Sequence, residues 1–129
     1  MKWLTVNDLG IIHIQIIDAS GGAQGIRDNG RLQSAIAAMQ QAVFGEELYP
    51  TVFEKAASLL RAVIADHPFV DGNKRTAMVS ALAFLNLNGY DTSPLENQEL
   101  EDFAVQVAVE HLSIQEIASW LEEHSQVIS

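Results

Sequence analysis

His67-Pro68-Phe69-Val70-Asp71-Gly72-Asn73-Lys74-Arg75-Thr76 is the stretch on which the reading of this chain turns. It joins two segments of helical periodicity. Upstream, Thr51-Val52-Phe53-Glu54 places a hydroxyl at a cap position and a carboxylate three residues on, a capping box. Val52, Ala56, Leu59, Leu60, Val63 and Ile64 then recur at helical spacing. Pro68 disfavours helical geometry in the residue before it, so this helix is predicted to end near Asp66 or His67. Downstream, a second helix is predicted to start at Asn73 to Arg75. It runs through Met78, Leu82 and Leu85 and stops at the glycine cap Asn88-Gly89. Between Thr76 and Leu87 it is apolar almost all round, as a buried central helix would be.

The flanking signals are also mostly helical. Asp28 can cap a helix carrying Leu32, Ala35, Ile36, Met39 and Val43. Ser93-Pro94-Leu95-Glu96 reads as a capping box with proline at the first helical position, before a helix with Leu100, Phe103, Ala104 and Val107. Ser113 to Glu116 is another box, leading into Ile117, Ala118 and Leu121. The β-branched run from Ile11 to Ile17 favours a strand. Thr5 with Asp8 resembles a helix start, however, and no second clear strand offers a partner, so a helix is predicted there. Gly21-Gly22-Ala23-Gln24-Gly25-Ile26 is a loop.

At 129 residues the chain reads as one domain, residues 1–129, able to bury a full core. It has no cysteine, which excludes disulfides and thiolate chemistry. Lys2 is followed soon by Asn7 and Asp8, unlike a signal peptide, and no apolar run approaches the roughly 20 residues of a membrane span. A cytoplasmic protein is expected. The net charge is −10, no Lys or Arg follows Arg75, and eight acids lie between Glu96 and Glu123. A nucleic-acid binder would show the reverse, so direct contact with nucleic acid is not expected. The acidic end is either a solvated face or a docking surface for a basic partner.

The residues from His67 to Arg75 combine the parts of a triphosphate site. A helix start offers bare N–H groups and partial positive charge, and Gly72 lets the backbone turn tightly. Gly72-Asn73-Lys74 can form an anion nest, to which Lys74 and Arg75 add full charges. Asp71 is a natural Mg²⁺ ligand beside phosphates. His67 has the pKa range of a general base, and Phe69 is the apolar anchor of the loop. Singly, each has a plainer reading: a cap, an Asx turn, solvated charge. Jointly, and just before a buried helix, they point to nucleotide chemistry. His13, set among isoleucines, reads as a hydrogen-bonded core histidine. Trp3 and Trp120 read as core or interface anchors.

In this order the residues resemble the Fic signature His-x-Phe-x-(Asp/Glu)-Gly-Asn-Gly-Arg-x-x-Arg. They are more similar still to its Doc (death-on-curing) branch, where Lys stands for the second glycine and the last Arg is absent; here those places hold Lys74 and Met78. Looser similarity covers Gly21-Gly22, Gly25 to Leu32, and Leu82 to Tyr90. The resemblance implies an all-α fold, a compact helical bundle of the Fic/Doc type around the buried helix. It implies a toxin held in check by a cognate antitoxin, using ATP and Mg²⁺. The two departures favour transfer of the γ-phosphoryl group to a Ser or Thr hydroxyl, with a translation elongation factor as target, over transfer of AMP. By position, His67 would be the base, Asp71 would bind Mg²⁺, and Gly72, Asn73, Lys74 and Arg75 would hold phosphates. An inactive module acting only through a partner is the remaining alternative. The loop from Gly21 to Gly30 matches either a flap that aligns the target or a plain connector. Arg27 and Arg31 are expected in surface salt bridges rather than on a nucleotide. Thr92 to Asn97 fits the family's inhibitory pattern (Ser/Thr)-x-x-x-Glu-(Gly/Asn), but the capping box read from Ser93 gives Glu96 another task.

Overall fold

The computed structural model describes residues 1–128. The first helix, α1 (Val6–Ser20), starts at Thr5, whose hydroxyl accepts from the Asp8 N–H at 3.1 Å while the Asp8 carboxylate accepts from the Thr5 N–H at 2.8 Å. This closed box, together with a buried stripe of Leu9, His13 and Ile17 at four-residue steps, outweighs the strand preference of the isoleucines. Ile11 and Ile14 face solvent.

The second helix, α2 (Asn29–Ala38), is capped by Asp28 as expected but is shorter than predicted. Met39 ends it, and Val43 lies instead on a hairpin of β1 (Ala42–Val43) and β2 (Glu46–Glu47). Phe44 and Gly45 turn the hairpin with φ of 50° and 80°, the pair of positive values that two-residue hairpins favour. Its base is fixed from outside. The ammonium of Lys55, buried in the first turns of α3 (Val52–Asp66), donates to the Tyr49 carbonyl and pairs with Glu47 at 3.2 Å.

Helix α3 begins at Thr51 and gives way at His67, which takes a left-handed conformation (φ 46°) before Pro68. The predicted capping box closes only by half. The Thr51 hydroxyl accepts from the Glu54 N–H, but the Glu54 carboxylate accepts from the Thr51 hydroxyl at 2.9 Å rather than from its amide. Helix α4 (Asn73–Leu87) follows the loop and buries Thr76, Ala77, Met78, Ser80, Ala81, Phe84 and Leu85. The centre is a pair rather than one helix: α3 packs on α2, α4, α5 and α6, and α4 packs on α1, α3 and α5. Leu59, Leu60, Val63, Phe84 and Leu85 meet in one apolar cluster.

Helix α5 (Asn97–Glu110) corrects a second expectation. Ser93 does not cap it. Its N–H and hydroxyl donate back to the Asp91 carboxylate at 2.9 and 3.1 Å, which holds Asp91 below the usual carboxylate range. An Asx turn two residues long thus wins over a capping box, and the helix starts after Glu96. Helix α6 (Ile114–Glu123) has the Ser113 box as predicted. A last pair, β3 (Tyr90–Asp91) with β4 (Gln126–Val127), ties the C-terminal segment to the end of α4. Trp3 lies against Phe84, and Trp120 stacks between Phe103 and His124. The architecture is all-α, as predicted. Among the described residues no helix is long and apolar enough to cross a membrane.

Two substitutions separate core from ornament. Leu59→Ala, at a fully buried site, should cost about 2–5 kcal/mol in urea unfolding. Phe44→Asn should leave stability unchanged or raise it by up to about 1 kcal/mol, because Phe44 is fully exposed and Asn tolerates positive φ better.

Candidate active site

The loop from His67 to Gly72 lies between two helix ends, and other segments hold it in shape. Asn73 does so from inside. Its side-chain carbonyl accepts from the Phe69 N–H and its amide donates to the Phe69 carbonyl, both at 3.0 Å. Asn73 is buried, as is Phe69, so the staple is dry. The Asn73 side chain therefore points into the loop, and only its main chain faces the cavity side. Phe69 is the anchor that the sequence suggested.

The segment from Gly21 to Asp28 holds the loop from outside. Gly25 accepts from the Val70 N–H at 3.0 Å, Ile26 and Phe69 form an antiparallel bridge, and the Pro68 carbonyl accepts from the N–H groups of Arg27 and Asp28. Arg27 and Arg31 cap the end of α3. The Arg27 guanidinium donates to the carbonyls of His67 at 2.7 Å and Asp66 at 2.8 Å, and Arg31 donates to Asp66 at 2.9 Å. Arg31 also makes the expected surface pair, with Asp28 at 3.4 Å. Both arginines thus neutralise the negative end of the helix that carries His67. The sequence did not reveal this task, because their acceptors are main-chain carbonyls. The Gly21–Gly30 loop is more than a connector, since it is hydrogen-bonded to the signature.

Gly72 takes φ 72° at the cap of α4, where a Cβ would come within 2.9 Å of Ile17 Cδ1. The glycine is required by both conformation and space. Beyond it, the N–H groups of Asn73, Lys74 and Arg75 have no hydrogen-bond partner among the described residues; the first helical bond there is Thr76 N–H to Gly72. The Gly72 N–H is already used, donating to the Asp71 carboxylate at 2.9 Å. The other Asp71 oxygen accepts from the Ala23 N–H at 3.2 Å.

His67, Asp71, Gly72, Asn73, Lys74 and Arg75 all line one cavity of about 980 Å³, walled by the end of α1, the start of α4 and α5. The His67 imidazole is exposed and has no hydrogen bond among the described residues. Lys74 is an exposed cation with no ion-pair partner there. Arg75 is half-exposed and paired with Glu101 on α5 at 3.1 Å. That contact had no signal in the sequence, where Glu101 is one acid among many. Met78 lines the wall with an apolar, buried side chain. No group of three or more His, Asp or Glu among the described residues could hold a metal alone. The exposed Asp71 carboxylate, each oxygen of which accepts one N–H and keeps a further lone pair, does suit Mg²⁺, which takes one or two carboxylates and completes its shell with phosphate oxygens.

A buried helix pair joined by a histidine- and glycine-bearing loop, with free amides at the second helix start, defines the class of Fic-type domains. A model of the Fic/DOC family matches residues 3–85, and the chain belongs to that family. It is 38% identical over 104 residues to Toxin Doc of Mycolicibacterium smegmatis, covering 80% of each chain. It is 36% identical over 121 residues to Protein kinase doc of Escherichia phage P1, covering 94% of each.

The staple can be tested without any assay of activity. Asn73→Ala would leave the Phe69 N–H and carbonyl buried without partners, and should cost about 1–3 kcal/mol in urea unfolding. Faster amide exchange across residues 67–72 should accompany it.

Proposed function

We propose that this protein is a Doc-type toxin that transfers the γ-phosphoryl group of ATP to a Ser or Thr hydroxyl of a protein, a translation elongation factor being the expected target. The carrying observation is the set of three unpartnered amides at the start of α4, flanked on the same cavity by His67, Asp71 and the unpaired Lys74. The kinase name of the phage P1 relative supports the reaction class.

In this reading the Asn73, Lys74 and Arg75 amides bind phosphate oxygens, and the Lys74 ammonium adds a charge. Arg75 joins them once phosphate displaces Glu101. Asp71 would hold Mg²⁺, which neutralises phosphate charge when bound. His67 takes the proton from the acceptor hydroxyl. That oxygen bonds to the γ-phosphorus as the bond to the bridging oxygen breaks, and ADP leaves. Such transfer needs mainly positioning and neutralised charge, which a pinned loop provides. Lys74 and the apolar Met78 replace the glycine and arginine by which AMP-transferring relatives of the signature hold α- and β-phosphates. Growth arrest is relieved by a cognate antitoxin whose segment covers the cavity.

ATP labelled at the γ position, incubated with protein and cell extract, should mark a protein band, whereas label at the α position should not. Label from α alone would replace kinase chemistry with AMP transfer, and no label would leave a partner-binding module. His67→Ala should lower transfer by about 10²–10⁴-fold and abolish growth arrest at equal expression, with an unchanged melting curve.

A further inference from the structure

His13 interrupts the buried stripe of α1 between Leu9 and Ile17, and it is itself 2% exposed. A leucine would fill the place without the cost of burying an imidazole. The ring is held on two sides. It stacks on Phe69 with centroids 4.0 Å apart and planes 6° from parallel, and its Nε2 lies 2.8 Å from the Asp71 carbonyl oxygen. A carbonyl only accepts, so Nε2 carries the proton.

That carbonyl belongs to the same planar peptide as the Gly72 N–H, and the two point in opposite directions. Fixing the oxygen on His13 therefore fixes where the N–H points, and it points at the Asp71 Oδ1, 2.9 Å away. A continuous line runs from imidazole to peptide to carboxylate. Ile17 lies on the same side, close enough that a Cβ at Gly72 would come within 2.9 Å of its Cδ1.

We propose that His13 is a positioning residue for divalent-cation binding: it orients the Asp71 carboxylate through the 71–72 peptide without touching the ligand. The inference rests on the reading of Asp71 as the Mg²⁺ ligand. It concerns binding and can be tested without phosphoryl transfer.

The test uses full-length His67→Ala protein, so that nucleotide is not consumed, and a non-hydrolysable ATP analogue titrated by calorimetry with and without MgCl₂. His13→Leu should weaken Mg²⁺-dependent binding by about 10–100-fold, as loss of a group that orients a metal ligand does, and leave Mg²⁺-free binding unchanged. His13→Gln, whose amide can donate from a similar place, should restore it. A folded Leu variant with unaltered Mg²⁺ dependence overturns the proposal, as does a Gln variant no better than Leu. Should the Leu chain not fold, the ¹⁵N spectrum of the wild-type imidazole decides: a protonated Nε2 supports the assignment and a bare Nε2 overturns it. Failure of γ-label transfer would remove the kinase reading and leave this binding result standing. The opposite pair of outcomes would remove the role of His13 alone.

Discussion

A loop that must keep several amides bare for a ligand cannot be stabilised by its own secondary structure. Its shape has to come from the polar groups that are not needed for binding. Around residues 67–72 those groups are nearly all taken: the Phe69 main chain by Asn73, the Pro68 carbonyl and the Val70 N–H by the 25–28 segment, the His67 and Asp66 carbonyls by Arg27 and Arg31, and the Asp71 carbonyl by His13. What is left over, besides the Val70 carbonyl and the Asp71 N–H, is the row of N–H groups at the start of α4. Satisfied and unsatisfied main chain thus divide between scaffold and site, as expected where buried polar groups must be paired.

The distribution of charge follows from the same division. Arg27 and Arg31 serve helix termination, Lys55 fastens the β1–β2 hairpin, and Arg61 donates to the Leu112 carbonyl. Lys74 and Arg75 are the cations left at the cavity, one unpaired among the described residues and one leaning on Glu101. In a chain of net charge −10 this keeps two positive charges local to the cavity. The acidic α5 supplies a weak, solvent-exposed partner for Arg75, of the kind that contributes little to stability and that a phosphate can displace.

How much of this could be read from the sequence depends on the range of each interaction. Helices α1, α3, α4 and α6 were legible because their caps and periodicity are local, and the polar signature residues do share one cavity, with Phe69 in the core behind them. The hairpin at 42–47 was not legible. Its first strand continues the helical spacing of α2, and its fastening lies on Lys55, beyond the segment. Ser93 had two local partners, Asp91 behind and Glu96 ahead, and the wrong one was favoured. In the site, the sequence marks Asn73 as a phosphate-holding residue without distinguishing its main chain from its side chain, and the side chain is spent on the Phe69 main chain. Arg27, Arg31 and His13 bond to carbonyl oxygens 35 to 58 positions away, and a carbonyl has no letter in a sequence.

The bridge between Ile26 and Phe69, with its neighbouring bonds, makes the first quarter of the chain part of the architecture of the candidate site although none of the signature lies there. A fragment starting at α3 would carry every letter of the signature and the Asn73 staple, but none of the bonds that His13 and the 23–31 segment make to the loop. Truncated or recombined homologues should thus be judged by whether they keep this N-terminal brace. An intact string of motif residues is no guarantee of an intact site.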